Sequence, residues 1–203
     1  MSILGKLRFK DQAFKLREDA ILDAATRILG SKGFDLMTMD DVAEEVGISK
    51  PSLYKHFKSR EDLVTETMIR LLDGAQEFWD RMPQGDEPIR KLQVLLEWAM
   101  RVRLQGGLPF LPSTSPQVRD MLTRSLRYVA KVLKLNGTLG DAVKAAKARG
   151  QLRSDLPDDV ILFGFYARTC DPAVEYLRIY SKLDEQQIID YMIGAYFQGI
   201  QAG

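Results

Sequence analysis

Residues 37–58 read MTMDDVAEEVGISKPSLYKHFK, and the fold turns on how this stretch is read. Its apolar spacing describes two helices, each too short to be stable alone in water. Thr38, followed three residues later by Asp41, makes a capping-box start; Val42, Ala43 and Val46 share the inward face, and Gly47 ends the first helix. Ile48 packs the turn. Ser49 caps the second helix, and Pro51 sits in its first turn, where a missing N–H is tolerated. At about 100° per residue, Leu53 and Phe57 fall on the inner side, while Pro51, Ser52, Tyr54 and Lys55 flank it or face outward. Short helices joined by such a turn, held by packing rather than by propensity, form a helix-turn-helix whose second member presents its outer face to the major groove of DNA.

The chemistry of that outer face suits DNA. Lys50 and Lys55 reach base edges or phosphates, Ser52 bonds either, and the Pro51 ring touches a thymine methyl. Tyr54 offers a phenolic hydroxyl to a phosphate, as Lys58 and Arg60 offer their cations at the start of the next helix. His56, the single histidine, lies on the rim of the presented helix beside Phe57, where a core role and a DNA contact are both open.

The flanking sequence supplies the packing. A first helix is expected over Lys15–Ser31, with Ala20, Ile21, Ala24, Ala25, Ile28 and Leu29 as its apolar stripe and Gly33 as its stop. Ser59 caps a longer helix that continues through Trp79, and MPQGDEP at 82–88 marks the domain boundary. Helical periodicity continues over 88–104, from Gln117 to near Gly150 with a weakening at Asn136-Gly137, from Pro157 to a restart at Asp171-Pro172, and from Asp184 to Gln201. The fold class is all-α: a three-helix helix-turn-helix DNA-binding domain over 1–60, a connecting helix over about 59–82, and a larger helical bundle over 83–203 for ligand binding and dimerisation.

With 203 residues, 45% hydrophobic and 28% charged, the chain can bury a sizeable core, and its net charge of +1 makes any attraction to nucleic acid a matter of local distribution. The leader concentrates Lys6, Arg8, Lys10, Lys15 and Arg17 against Asp11 alone, and reads as a solvated tail that, beside a DNA-binding bundle, can reach the backbone or minor groove. One cysteine, Cys170, forms no internal disulfide, and no metal-ligand spacing, cofactor motif or catalytic constellation is present. No enzymatic activity, cofactor, metal or membrane partner is expected, and the expected location is cytoplasmic.

At residues 20–68, AILDAATRILGSKGFDLMTMDDVAEEVGISKPSLYKHFKSREDLVTETM, the sequence resembles the DNA-binding region of TetR-family transcriptional regulators, over about residues 15–68 in all. The resemblance implies DNA contact through Thr38, through Ser49, Lys50, Pro51, Ser52, Tyr54, Lys55 and His56, and through Lys58 and Arg60. Pro51 stands where many members have glycine. The resemblance also implies a homodimer on palindromic double-stranded DNA and a C-terminal domain that binds a small-molecule effector.

Read on its own residues, the C-terminal half offers Trp98, Arg101, Phe110, Met121, Arg124, Tyr128, Phe163, Tyr166 and Cys170 as a lining for an apolar or aromatic effector, although each alone is more readily a core or solvated residue. The last helix is apolar on more than one face, so Gly164, Arg168, Ile188, Met192, Ala195 and Gly199 are the expected dimer contacts. The expected function is a ligand-responsive repressor; an effector-independent or architectural DNA-binding protein is the alternative.

Overall fold

A computed structural model of the chain describes residues 3–108 and 116–202, with residues 3–10 as backbone only. Ten α-helices are present among them: α1 (Ile3–Leu36), α2 (Met39–Val46), α3 (Lys50–Leu53), α4 (Arg60–Arg81), α5 (Pro88–Leu104), α6 (Pro116–Thr123), α7 (Leu126–Ala148), α8 (Asp158–Thr169), α9 (Ala173–Tyr180) and α10 (Glu185–Ile200). The chain divides inside α4 into two compact units, residues up to Thr67 and residues from Met68 on.

In the first unit, α1 begins well before Lys15, because the basic leader has no proline and continues the helix. The leader is therefore helical from Ile3 rather than a loose arm. The buried stripe of α1 starts at Ile21, and Ala20 is exposed. Gly33 adopts φ 76, ψ 175, a conformation almost closed to other residues, and kinks the helix so that Phe34 turns back toward the unit. Ile21, Ala24, Ala25, Met37, Val42, Leu53, Phe57, Leu63 and Val64 make the core, all at most 1% exposed. The α2 start is the expected capping box, and Gly47, left-handed at φ 72, closes the helix by donating to Ala43 and Glu44.

The second unit is built around α5, which packs against α7, α8, α9 and α10. Leu95, Leu96, Ala99 and Met100 of α5 are fully buried with Leu135 and Leu139 of α7, Val174 of α9 and Ile188 and Ile189 of α10. Lys91 is buried too, its ammonium lying 4.5 Å from the Trp79 ring centre, which offers a cation–π partner where water is excluded. The sequence from Gln117 to Gly150 forms two helices rather than one, since Ser125 caps α7 by accepting from the Tyr128 N–H. Asn136-Gly137 does not interrupt α7. One glycine costs about 1 kcal/mol against alanine, less than the burial of Leu135 and Leu139 on either side contributes.

Candidate nucleic-acid interface

The helix-turn-helix is held by local polar contacts that the turn residues supply. Thr38 N–H donates to Asp41 Oδ2 at 2.9 Å, Asp41 N–H donates to Thr38 Oγ1 at 3.1 Å, and the Thr38 hydroxyl donates to the same carboxylate at 2.7 Å. Lys32 Nζ bonds Asp41 Oδ1 at 2.8 Å. The Lys32 ammonium first, and the Thr38 donors second, hold the Asp41 carboxyl down at about 2. Thr38 is thus spent on starting α2, its hydroxyl proton already committed. Ser49 caps α3 through Ser52 N–H, and Ser59 caps α4 through Asp62 N–H at 3.1 Å.

The α-helical part of the presented element is shorter than expected, Lys50–Leu53, because the turn after it tightens: Lys55 N–H donates to Ser52 O, and His56 N–H to Leu53 O. Leu53 and Phe57 are buried on the inner side, as their spacing requires. Pro51, Tyr54, Lys55 and Lys58 are exposed and Ser52 is half-buried. Among the described residues, the Lys55 and Lys58 ammonium groups and the Tyr54 hydroxyl have no hydrogen-bond or ionic partner, so they remain available to a phosphate or a base.

Three other expected contacts are placed differently. Lys50 Nζ is 2.9 Å from Asp40 of α2, an exposed ion pair that raises its pKa. Arg60 lies 4.4 Å over the Phe34 ring and donates to Met37 O, joining α4 to the chain after the α1 kink. His56 stacks on Phe14 of α1 at 4.0 Å, with Nδ1 buried and unpaired, and burial lowers its pKa toward the neutral ring. Phe14 and Asp40 escaped the sequence reading, since only proximity across the fold couples them to His56 and Lys50.

The candidate effector residues of the second unit differ in exposure and in partners. Phe110 lies outside the described residues. Phe163 is 63% exposed, Arg124 is exposed, and Arg101 pairs with Glu97 at 2.8 Å and with Gln186 on the surface. Trp98 stacks on Phe78 at 5.1 Å. Met121 is half-buried on α6. Tyr166 donates to Asn136 Oδ1 at 2.6 Å and Cys170 lies by Thr169, both with pKa raised by burial. Tyr128 lines a cleft between α6 and α7.

The expected dimer residues also divide. Ile188 is fully buried in its own core and has no surface to give a partner; Met192 packs half-buried against the same core, and Gly164 faces Tyr196 within the chain. Arg168 is bound to Asp171. Ala195 and Gly199 are exposed on α10, together with Tyr191 at 62%.

Residues 21–67 match the family model described as bacterial regulatory proteins, tetR family, a span that runs from the α1 core into the first turns of α4 and contains the whole helix-turn-helix. Over these residues the chain is similar to the DNA-binding domain of the TetR family. The transcriptional repressor KstR2 of Mycolicibacterium smegmatis is 39% identical over 77 residues, which are 37% of this chain and 38% of that protein. The structure of the ketosteroid regulator KstR2 of Mycobacterium tuberculosis superposes with a TM-score of 0.66 at 19% identity, covering 92% of this chain and 96% of that one. AibR, solved with isovaleryl coenzyme A and operator DNA, gives 0.67 at 21% identity over 89% and 98%. About nine tenths of the chain therefore shares their fold, while the curated relative is matched over little more than a third of its length. Pro51, Tyr54, Lys55 and Lys58 all lie inside the TetR-family span; the α6–α7 cleft and the exposed faces of α8 and α10 lie outside it.

Proposed function

We propose that the protein is a ligand-responsive transcriptional repressor that binds a palindromic operator as a homodimer and is released by a small apolar or aromatic effector. In this reading residues 1–60 bind DNA, the helix over about 59–82 connects, and residues 83–203 bind the effector and dimerise, all in the cytoplasm where the DNA is. The observation that carries it is the outward set Pro51, Tyr54, Lys55 and Lys58, cations and a phenol without internal partners on a helix-turn-helix. KstR2 is named a repressor, and AibR was solved on operator DNA with an acyl coenzyme A, which supports the same class of activity here.

One presented helix of this length meets few bases, so specific affinity requires two, related by a two-fold axis. Val160, Phe163 and Ala167 make one exposed stripe on α8, and Tyr191, Ala195 and Gly199 another on α10; Tyr196 of α10 donates to Ile161 O of α8 at 2.7 Å, so the two stripes stand on neighbouring helices. These stripes form the proposed dimer surface. Selection from a random duplex pool should enrich two inverted half-sites about one helical turn apart. A pool with no enrichment after repeated rounds, from protein of normal helicity, refutes the operator-binding reading.

A further inference from the structure

Between α6 and α7 lies a cleft of about 290 Å³ whose wall is formed by Leu122, Val129, Val132 and Leu133. Three polar residues line it: Thr123, whose hydroxyl donates to backbone carbonyls of its own helix, and Arg119 and Tyr128, whose guanidinium and phenol have no hydrogen-bond or ionic partner among the described residues. Arg119 is exposed and uncompensated there, because its neighbour Asp120 is one position along the helix and so faces elsewhere. Leu133 stays 65% exposed at the edge, an apolar side chain left without cover. Tyr128 is half-buried, and burial raises its phenol pKa, which keeps it protonated and a donor.

We propose that this cleft binds an anionic amphiphile: an apolar chain against Leu122, Val129, Val132 and Leu133, with its carboxylate held by Arg119 and Tyr128. The proposal rests on the repressor reading above for its role, and supplies the ligand class and the place. The volume suits a chain on the order of ten carbon-sized groups, at roughly 30 Å³ each. The charge complement selects among such chains: a carboxylate gains a charge-assisted bond to guanidinium, whereas an alcohol of equal length gains only burial. Arginine suits the task because its planar fork meets both carboxylate oxygens.

The test is calorimetric titration of the full chain, without DNA, with decanoate and with decanol. Decanoate is expected to bind once per chain and more tightly than decanol. Arg119→Gln and Leu133→Asp should each weaken decanoate about tenfold, the first by removing the anchor and the second by setting a carboxylate at the edge. Both positions are exposed, so circular dichroism should be unchanged. Absence of decanoate binding, equal affinity for decanol, or indifference to both substitutions overturns the proposal. So does a change in sedimentation on Leu133→Asp, which would make this face a protein contact. A chain that binds decanoate as described but selects no DNA keeps the cleft and loses the repressor reading; one that selects an operator and ignores decanoate does the reverse.

Discussion

Tyr54 and Lys55 are adjacent on the presented turn, yet their chemistry assigns them different work. Tyr54, 43% exposed, carries one hydroxyl suited to a phosphate, whereas Lys55 carries a free ammonium able to reach a base edge. Tyr54→Phe is expected to lower affinity equally for operator and random DNA. Lys55→Ala should relax preference at one position of each half-site, by about 1–3 kcal/mol; equal losses on both DNAs would remove Lys55 from base reading. Asp41 offers a second measurement at this scale. Its folded pKa is depressed to about 2, so the Lys32 and Thr38 contacts it makes are fully present above the ordinary carboxylate range and are lost as pH falls from about 4 toward 2. Asp41→Asn should flatten the acid limb of the N-terminal unit's unfolding between those values. An unchanged acid limb would show that the contacts contribute nothing to stability.

At the scale of an element, two glycines should respond to alanine with opposite sign. Gly33 holds the α1 kink in a region that side chains avoid, although a methyl group there would meet no atom. Gly33→Ala should cost roughly 1–3 kcal/mol in chemical denaturation through backbone strain alone. Gly137 is helical within α7, with open space where a side chain would project. Gly137→Ala should therefore stabilise the second unit by roughly 0.5–1 kcal/mol. Matching signs would mean that one of the two backbones is misread. The kink matters beyond strain, because it places Phe34 beneath Arg60 and so ties the start of α4 to the helix-turn-helix.

Across the whole molecule, the proposed function requires two copies and a path from ligand to DNA. Phe163→Asp, at an exposed position on α8, should leave helicity intact, shift the chain to a monomer in sedimentation and abolish operator binding. A dimer that still binds DNA would place the two-fold axis elsewhere. The path is suggested by α7, where Lys131, set between Val129 and Val132 of the cleft, pairs with Asp73 of α4 at 2.5 Å, and Thr138 donates to Gln76 at 3.3 Å. Lys131→Met should preserve decanoate affinity while removing its effect on operator binding. If decanoate still releases the operator from this variant, the signal travels by another contact.

The helix-turn-helix was legible in residues 37–58 because its determinants are local. Thr38 and Asp41, Gly47, Ser49 and Pro51 each act within a few residues of themselves, and capping, left-handed turns and helical periodicity are short-range consequences of covalent geometry. The all-α class and the starts at Ser59, Ser49 and Asp184 follow from the same short-range chemistry. Which cation has a partner inside the unit did not. Lys50 and Lys55 look alike in sequence, but Asp40 captures one across the turn, just as Phe14 draws in His56 from a distant part of α1. Ile188 and Ala195 both sit on α10, and only the packing of α5 and α9 against it buries the first and leaves the second exposed. Partnership and burial depend on which residues meet in space, and side chains far apart in the chain meet only once the helices have packed.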